Sequence, residues 1–240
     1  MSSHSHSLIE LHQVGQSFVT HQHSVSLFAD LTFSIEQGHS YAITGPSGSG
    51  KSSLLMLASG LEQPTAGEVV YSNQGHIQPI SHIRSEIGFI FQQFHLLPEF
   101  DALNNVALPL KLRGHKQALA IAKEWLDKVG LGHRLKHKPA ELSGGEQQRV
   151  AIARALVFNP KFIFADEPTG NLDANSAGEI ADLLFECCRD KGAGLVLVTH
   201  SDSLAQQTQH QLRFNAGKCE RVSAQQRAEH TVERGSKRYA

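Results

Sequence analysis

Gly45-Pro46-Ser47-Gly48-Ser49-Gly50-Lys51-Ser52 meets the pattern G-x-x-x-x-G-K-[ST] at every specified position. The apolar run Ser40-Tyr41-Ala42-Ile43-Thr44 precedes it and the helix-favouring run Ser53-Leu54-Leu55-Met56-Leu57-Ala58 follows, so the motif stands between a strand and a helix, as its chemistry requires. A backbone that wraps a polyphosphate needs conformations and close approaches that a Cβ would block, which is why glycines recur here. Their N–H groups then point inward, and the unpaired amides and positive dipole end of the next helix face the same anion. The cradle runs from Gly45 to Ser53. Lys51 is placed to bridge the β- and γ-phosphates of a bound polyphosphate, and the Ser52 hydroxyl to hold Mg²⁺.

The 240 residues suffice for one large α/β domain, or a core with a smaller subdomain. With 22 basic and 23 acidic residues the formal charge is -1, so no chain-wide basic field argues for nucleic acid as a partner. No apolar run approaches the roughly 20 residues that span a bilayer, and the start of the chain lacks a signal-peptide pattern; a cytosolic, soluble chain is expected. Cys187, Cys188 and Cys219 show no metal-ligand spacing and are read as reduced structural thiols. His4, His6, His12, His21 and His23 cluster early without a companion Cys or carboxylate group, so the stretch 1–7 is read as a solvated end rather than a metal tract.

Ahead of the cradle, Leu8 to Val14, Ser24 to Phe28 and Leu31 to Ile35 alternate apolar and polar residues between polar turns, which predicts an antiparallel β layer. Phe18 lies on it, either as core or as an aromatic stacked on adenine. Beyond the cradle, Gly60 to Gly67 reads as a helix stop and turn, Glu68 to Tyr71 as a strand, Asn73 to Pro79 as a loop, Ile83 to Ile87 as a short helix and Glu86 to Phe91 as a buried strand. Gln92 stands at the carboxyl end of that strand, where α/β sheets face their ligand crevice. It touches a metal ion or the attacking water, or else bonds local backbone. From about 96 to 158 the pattern turns helical, with Ala118, Ile121, Ala122, Trp125, Leu126 and Val129 on one apolar face.

A second chemical motif follows in Leu142-Ser143-Gly144-Gly145-Glu146-Gln147-Gln148-Arg149. Ser143 and Glu146 have capping-box spacing. Two glycines in a first turn cost of order 1 kcal/mol each relative to Ala, and they make sense if a second anion must approach that backbone closely. Lys161 to Glu167 is then an apolar strand ending in two carboxylates, with Asp166 suited to Mg²⁺ and Glu167 to orienting or deprotonating a water. Pro168 to Asp173 reads as a turn, Ser176 to Lys191 as a helix, and Leu195 to Thr199 as an apolar strand closed by His200, a candidate γ-phosphate sensor. Gln211 to Glu220 resembles a hairpin, and the polar tail from Arg221 to Ala240 a flexible end.

With Leu142-Ser143-Gly144-Gly145-Glu146 standing between the phosphate cradle and Ala165-Asp166-Glu167, the chain resembles the ATP-binding subunits of ABC transporters over roughly Leu8 to Glu220. The resemblance implies an α/β fold: a P-loop NTPase core with a mixed sheet, an N-terminal antiparallel β layer and an inserted helical subdomain. It further implies an Mg²⁺-dependent ATPase that pairs with a second copy of itself, two ATP molecules being held between one copy's P-loop and the other's signature. By position, Ser143, Gly144 and Gly145 are then the signature residues that contact the γ-phosphate across the interface, and Phe18 is the adenine-stacking aromatic. Gln92 corresponds to the Q-loop, Asp173 to the D-loop and His200 to the switch histidine. Phe18 where Tyr is commoner, Glu146 for Gln, and Gly170-Asn171 for Ser-Ala are departures. The last two, with Phe91 to Pro98, are similar to the branch of lipoprotein-release, macrolide-efflux and cell-division ATPases. That branch implies an integral membrane permease as partner and a peripheral position on the cytoplasmic face of the inner (plasma) membrane. The alternative is a regulatory ATPase that gates a cell-envelope process without transport; a soluble DNA-repair or ribosome-associated member would carry insertions this chain lacks.

Overall fold

The computed structural model describes residues 7–19, 24–215 and 218–222. In chain order its strands and helices are β1 (Ser7–Val19), β2 (Ser24–Glu36), β3 (Ser40–Thr44), α1 (Lys51–Ala58), β4 (Ala66–Asn73), β5 (His76–Pro79) and β6 (Ile87–Ile90). They continue as α2 (Ala102–Leu112), α3 (Ala118–Lys128), α4 (Gly144–Leu156), β7 (Phe162–Asp166), α5 (Ala174–Lys191), β8 (Gly194–Val198), α6 (Asp202–Gln206), β9 (His210–Asn215) and β10 (Lys218–Arg221).

Two sheets form. The first, in the order β2-β1-β4-β5, is antiparallel throughout, with Ile9 opposite Ile35 on one side and Tyr71 on the other. Its inward residues Ile9, Leu11 and Ile35 are fully buried, whereas His12 is exposed, which is the alternation expected of a sheet with one wet face. The second sheet has the order β10-β9-β3-β8-β7-β6 and is parallel except for β10. Both of its faces are covered, so β7 and β8 are apolar at nearly every position. Phe162, Phe164, Val196 and Val198 pack with α1 and the antiparallel sheet. Ile163, Ala165, Leu195 and Leu197 pack with residues of α2 to α5 on the other face.

The helices around Trp125 form as their apolar spacing predicts: Ala122, Trp125 and Leu126 are buried on α3. α4 joins this helical group to the sheet, packing so closely on β6 that a Cβ at Gly88 would overlap the Ala155 carbonyl.

Three boundaries differ from expectation. Residues 73–79, read as a loop, contain β5, which pairs with β4 across a two-residue turn at Gln74 and Gly75. Both turn residues have positive φ, 54° and 80°, which suits the twist of a tight hairpin; β5 is exposed at all four positions, so it carries no apolar alternation to read. The short helix read at 83–87 is a 3₁₀ segment, Ile80–Glu86. Of the ends read as flexible, Ser7 opens β1 and is buried, Arg221 closes β10 and Val222 is buried; the remainder lies outside the described residues, as do His21, His23, and Ala216 and Gly217 of the hairpin expected over 211–220.

Candidate nucleotide site

The carboxyl ends of β3, β7 and β8 open on a cavity of about 620 Å³. Ser47, Gly48, Gly50, Lys51, Ser52 and Ser53 line one side of it, and Gln92, Asp166, Glu167 and His200 the other. Gly48 and Gly50 take φ of +74° and +98°, conformations that bend the loop back on itself and that side chains disfavour. Gly50 caps α1, whose first turn carries no acid, so the helix dipole meets an incoming anion unopposed.

Gly45 has a separate reason to be glycine. A Cβ there would stand 2.5 Å from the Phe214 carbonyl oxygen of β9, well inside van der Waals contact. Gly45→Ala is expected to push the loop off β9 and destabilise the fold by roughly 1–3 kcal/mol, lowering Tm by about 2–12 °C in thermal unfolding.

Lys51 is almost fully buried and its Nζ donates to the Gly45 and Pro46 carbonyls at 3.1 and 2.8 Å. Burial lowers its pKa, and the nearby Glu167 and Asp166 carboxylates oppose that shift. Ser49 Oγ is buried and has no hydrogen-bond partner among the described residues. Across the cavity, Ser52 Oγ donates to Asp166 Oδ1 at 3.2 Å. Two hard oxygen donors from different motifs are thus adjacent, a donor set that suits Mg²⁺.

Glu167 leaves β7 with φ +46°, a turn that swings its side chain towards β8. Its Oε2 accepts from the His200 backbone N–H at 3.2 Å, and Oε1 lies 3.5 Å from His200 Nε2. Burial raises the Glu167 pKa, while the His200 N–H and ring work against the rise. Oε1 is buried and makes no hydrogen bond among the described residues; it can accept one, the requirement on a group that orients water.

Gln92 is held by the segment after β7. Its Nε2 donates to Asn171 Oδ1 at 3.4 Å and its carbonyl accepts from Asn171 Nδ2 at 2.8 Å. With the amide nitrogen so engaged, the side-chain oxygen is the atom available to the cavity. Gly170 permits this, since a Cβ there would lie 3.1 Å from Gln92 Nε2.

The signature segment starts α4. Ser143 Oγ accepts from the Glu146 N–H at 3.2 Å and Glu146 Oε2 accepts from the Ser143 N–H at 2.8 Å, the reciprocal cap its spacing predicts. Arg134 Nε adds a 3.0 Å bond to Glu146 Oε1, and the Ser143 N–H is the largest influence holding the Glu146 carboxyl below its usual range. A Cβ added at Gly144 or Gly145 would meet only Leu172, Phe94 and Ser176 among the described residues, all at ordinary contact distance. Asp173 caps α5, accepting from the Asn175 and Ser176 N–H groups.

Of the residues expected at the site, the P-loop face, Gln92, Asp166, Glu167 and His200 converge. Gly45 and Pro46 stand behind, binding Lys51. Ser143, Gly144, Gly145 and Asp173 lie outside the cavity lining, as does Phe18, which is 47% exposed on β1 opposite Val25. Leu27, Gly170 and Val198 line the cavity without having been expected. Leu27 could have been found from its position in the β layer next to Phe28, whose ring covers Gly50; Gly170 and Val198 carry no signal of their own.

Residues 28–170 match the family model described as ABC transporter. The lipoprotein-releasing system ATP-binding protein LolD of Geobacter metallireducens is 45% identical over 206 residues, 83% of this chain and 92% of the relative. The protein of the same name from Shewanella sp. (strain MR-4) is 43% identical over 223 residues, 90% of this chain and 96% of the relative. Among solved structures, the dimeric ATP-binding cassette MJ0796 in a post-hydrolysis state with ADP and Pi superposes with a TM-score of 0.78 at 34% identity, covering 90% of this chain and 99% of that one. A second dimeric structure of MJ0796, described as a bacterial ABC transporter cassette, has the same TM-score at 35% identity. With its phosphate cradle, paired carboxylates and capped signature helix set on this frame, the chain belongs to the ABC transporter family.

Proposed function

We propose that the chain is the ATP-binding and ATP-hydrolysing subunit of a membrane transporter of the lipoprotein-releasing type. The convergence of Lys51, the Ser52–Asp166 pair and the Glu167–His200 pair on one cavity carries this reading. The names of the similar proteins, all ATP-binding subunits of a lipoprotein-releasing system, supply the branch and do not favour the regulatory alternative.

In this reading the P-loop amides and Lys51 bind the β- and γ-phosphates of ATP, and Ser47, Gly48, Ser49 and Ser53 complete the cradle. Ser52 and Asp166, with Gln92, would hold Mg²⁺, which when bound neutralises charge on the phosphates. Glu167 orients a water for attack on the γ-phosphorus, the bond to the β-phosphate oxygen breaks, and ADP and inorganic phosphate leave. His200, at the edge of the same cavity, contacts the γ-phosphate. Ser143, Gly144 and Gly145 complete the site of a second copy, with Asp173 beside that interface and Phe18 against the adenine. The dimeric state of the similar cassettes supports this arrangement. The partner is an integral membrane permease and the chain sits peripherally on the cytoplasmic face of the inner membrane; no described helix is long and apolar enough to cross a membrane.

Capturing the Glu167→Gln variant with ATP and Mg²⁺ in its native membranes tests this. A dimer co-purifying with an integral membrane protein is the expected result. Recovery of DNA or ribosomes without a membrane protein would overturn the transporter reading.

Ser143 separates folding from function within the signature. Ser143→Gly retains a tolerable cap, the loss being a few tenths of a kcal/mol, yet removes the hydroxyl. Thermal unfolding is expected to stay within about 2 °C of wild type, while ATP turnover by the dimer falls by roughly tenfold, equivalent to one lost charge-assisted hydrogen bond.

A further inference from the structure

The backbone just after Gln92 is unusual: Phe94 and His95 are consecutive non-glycine residues with φ of +60° and +47°. Single residues visit this region, but two in succession with full side chains need outside support. Arg154, near the far end of α4, supplies it. Its Nη2 donates to the Phe94 carbonyl at 2.7 Å and its Nη1 to the His95 carbonyl at 2.6 Å, both terminal nitrogens of one planar fork engaged on adjacent peptide groups. Burial pushes the guanidinium pKa down, so these carbonyls take the place of lost water. The tip of the Phe94 ring lies towards the start of the same helix, 3.9 Å from where a Cβ on Gly144 would stand. The kink is therefore fastened through Arg154 to α4, the helix that the signature begins.

Resting on the function proposed above, we infer that Arg154 is a positioning residue that clamps the Phe94–His95 kink to the signature helix, so that the segment after Gln92 and Ser143 to Gly145 move as one body. A displacement of that segment by the permease then reorients the signature presented to the second copy's nucleotide. Neither Phe94 nor His95 need touch ATP for this, and Arg154 acts only through them. Lysine is only a partial substitute, because its ammonium keeps the charge but lacks the rigid planar fork that meets the two carbonyls with separate nitrogens.

Two measurements test the inference. In the isolated chain, Arg154→Met is expected to speed amide hydrogen exchange across residues 93–96 by at least about tenfold, with peptides of the P-loop unchanged and ATP affinity within about twofold of wild type. In the assembled transporter, its permease-stimulated kcat is expected to fall roughly tenfold at nearly constant KM, with Arg154→Lys between. Adding His95→Gly to Arg154→Met should restore part of both, because glycine holds a left-handed backbone without a clamp. Wild-type exchange rates in Arg154→Met would overturn the clamp. Faster exchange with stimulated kcat within twofold of wild type would overturn the coupling, as would a loss that neither Lys nor the added Gly relieves. If the wild-type chain showed no permease stimulation at all, the proposed function would fail instead, and the exchange measurement would still decide the clamp.

Discussion

Glu167→Gln is expected to lower steady-state ATP hydrolysis by roughly 10²–10⁴-fold, the range associated with a positioned general base, while ATP affinity stays within about threefold of wild type. The argument rests on the two oxygens of the carboxylate. One is tied to the His200 backbone N–H, which holds the side chain in place; the other is buried without a hydrogen bond among the described residues. An amide of the same shape can keep the first contact, but it is a poor proton acceptor at the second. Stability should move the other way from activity. Burial raises the Glu167 pKa, so the charged form present at neutral pH is held in the fold against its preference, and a neutral glutamine removes that penalty. Tm at pH 7.5 should therefore equal or exceed wild type, and the excess should shrink as pH is lowered through the carboxylate range and Glu167 itself becomes neutral. Turnover measured beside nucleotide binding and thermal unfolding checks all three parts; near-normal turnover would remove Glu167 from its role.

Lys51→Ala is expected to weaken ATP binding by about 30–1,000-fold, corresponding to roughly 2–4 kcal/mol for a buried, hydrogen-bonded charge facing an anion. Part of that loss arises before any phosphate is involved, because Lys51 Nζ bonds the Gly45 and Pro46 carbonyls and so shapes the loop that surrounds it. Lys51→Met, which keeps most of the apolar stem, should bind almost as poorly as alanine but unfold at a higher temperature. Titration with a fluorescent ATP analogue separates the two; unchanged affinity in both variants would remove Lys51 from the phosphate site.

The parts of the site that were legible in the sequence are those whose chemistry fixes residues at short offsets. Gly45 to Ser52 and Ser143 to Glu146 each carry their own geometry, and the cap between Ser143 and Glu146 forms as its three-residue spacing requires. Asp166, Glu167 and His200 were legible as polar ends of apolar strands. The β layer was legible from its alternation except at β5, where every side chain is exposed and nothing alternates. Contacts between a side chain and distant backbone left no trace. Asn171 reaches Gln92 across 79 positions and Arg154 reaches His95 across 59, and a carbonyl acceptor looks the same in every residue. Asn171 stands out in the sequence only as a departure from the commoner Ser-Ala; that its amide bonds both ways to Gln92 is visible only in the fold.

The contact between Gly45 and Phe214 has a consequence for the order in which the protein becomes competent. The phosphate loop follows β3, yet the strand against which it rests, β9, comes only after helices α1 to α6 in chain order. A growing chain can form the antiparallel layer and α1 long before β9 exists, and until then the first glycine of the cradle faces no wall. The seat of the phosphate loop is in this way complete only once β9 is in place, although no residue of β9 belongs to the cavity lining.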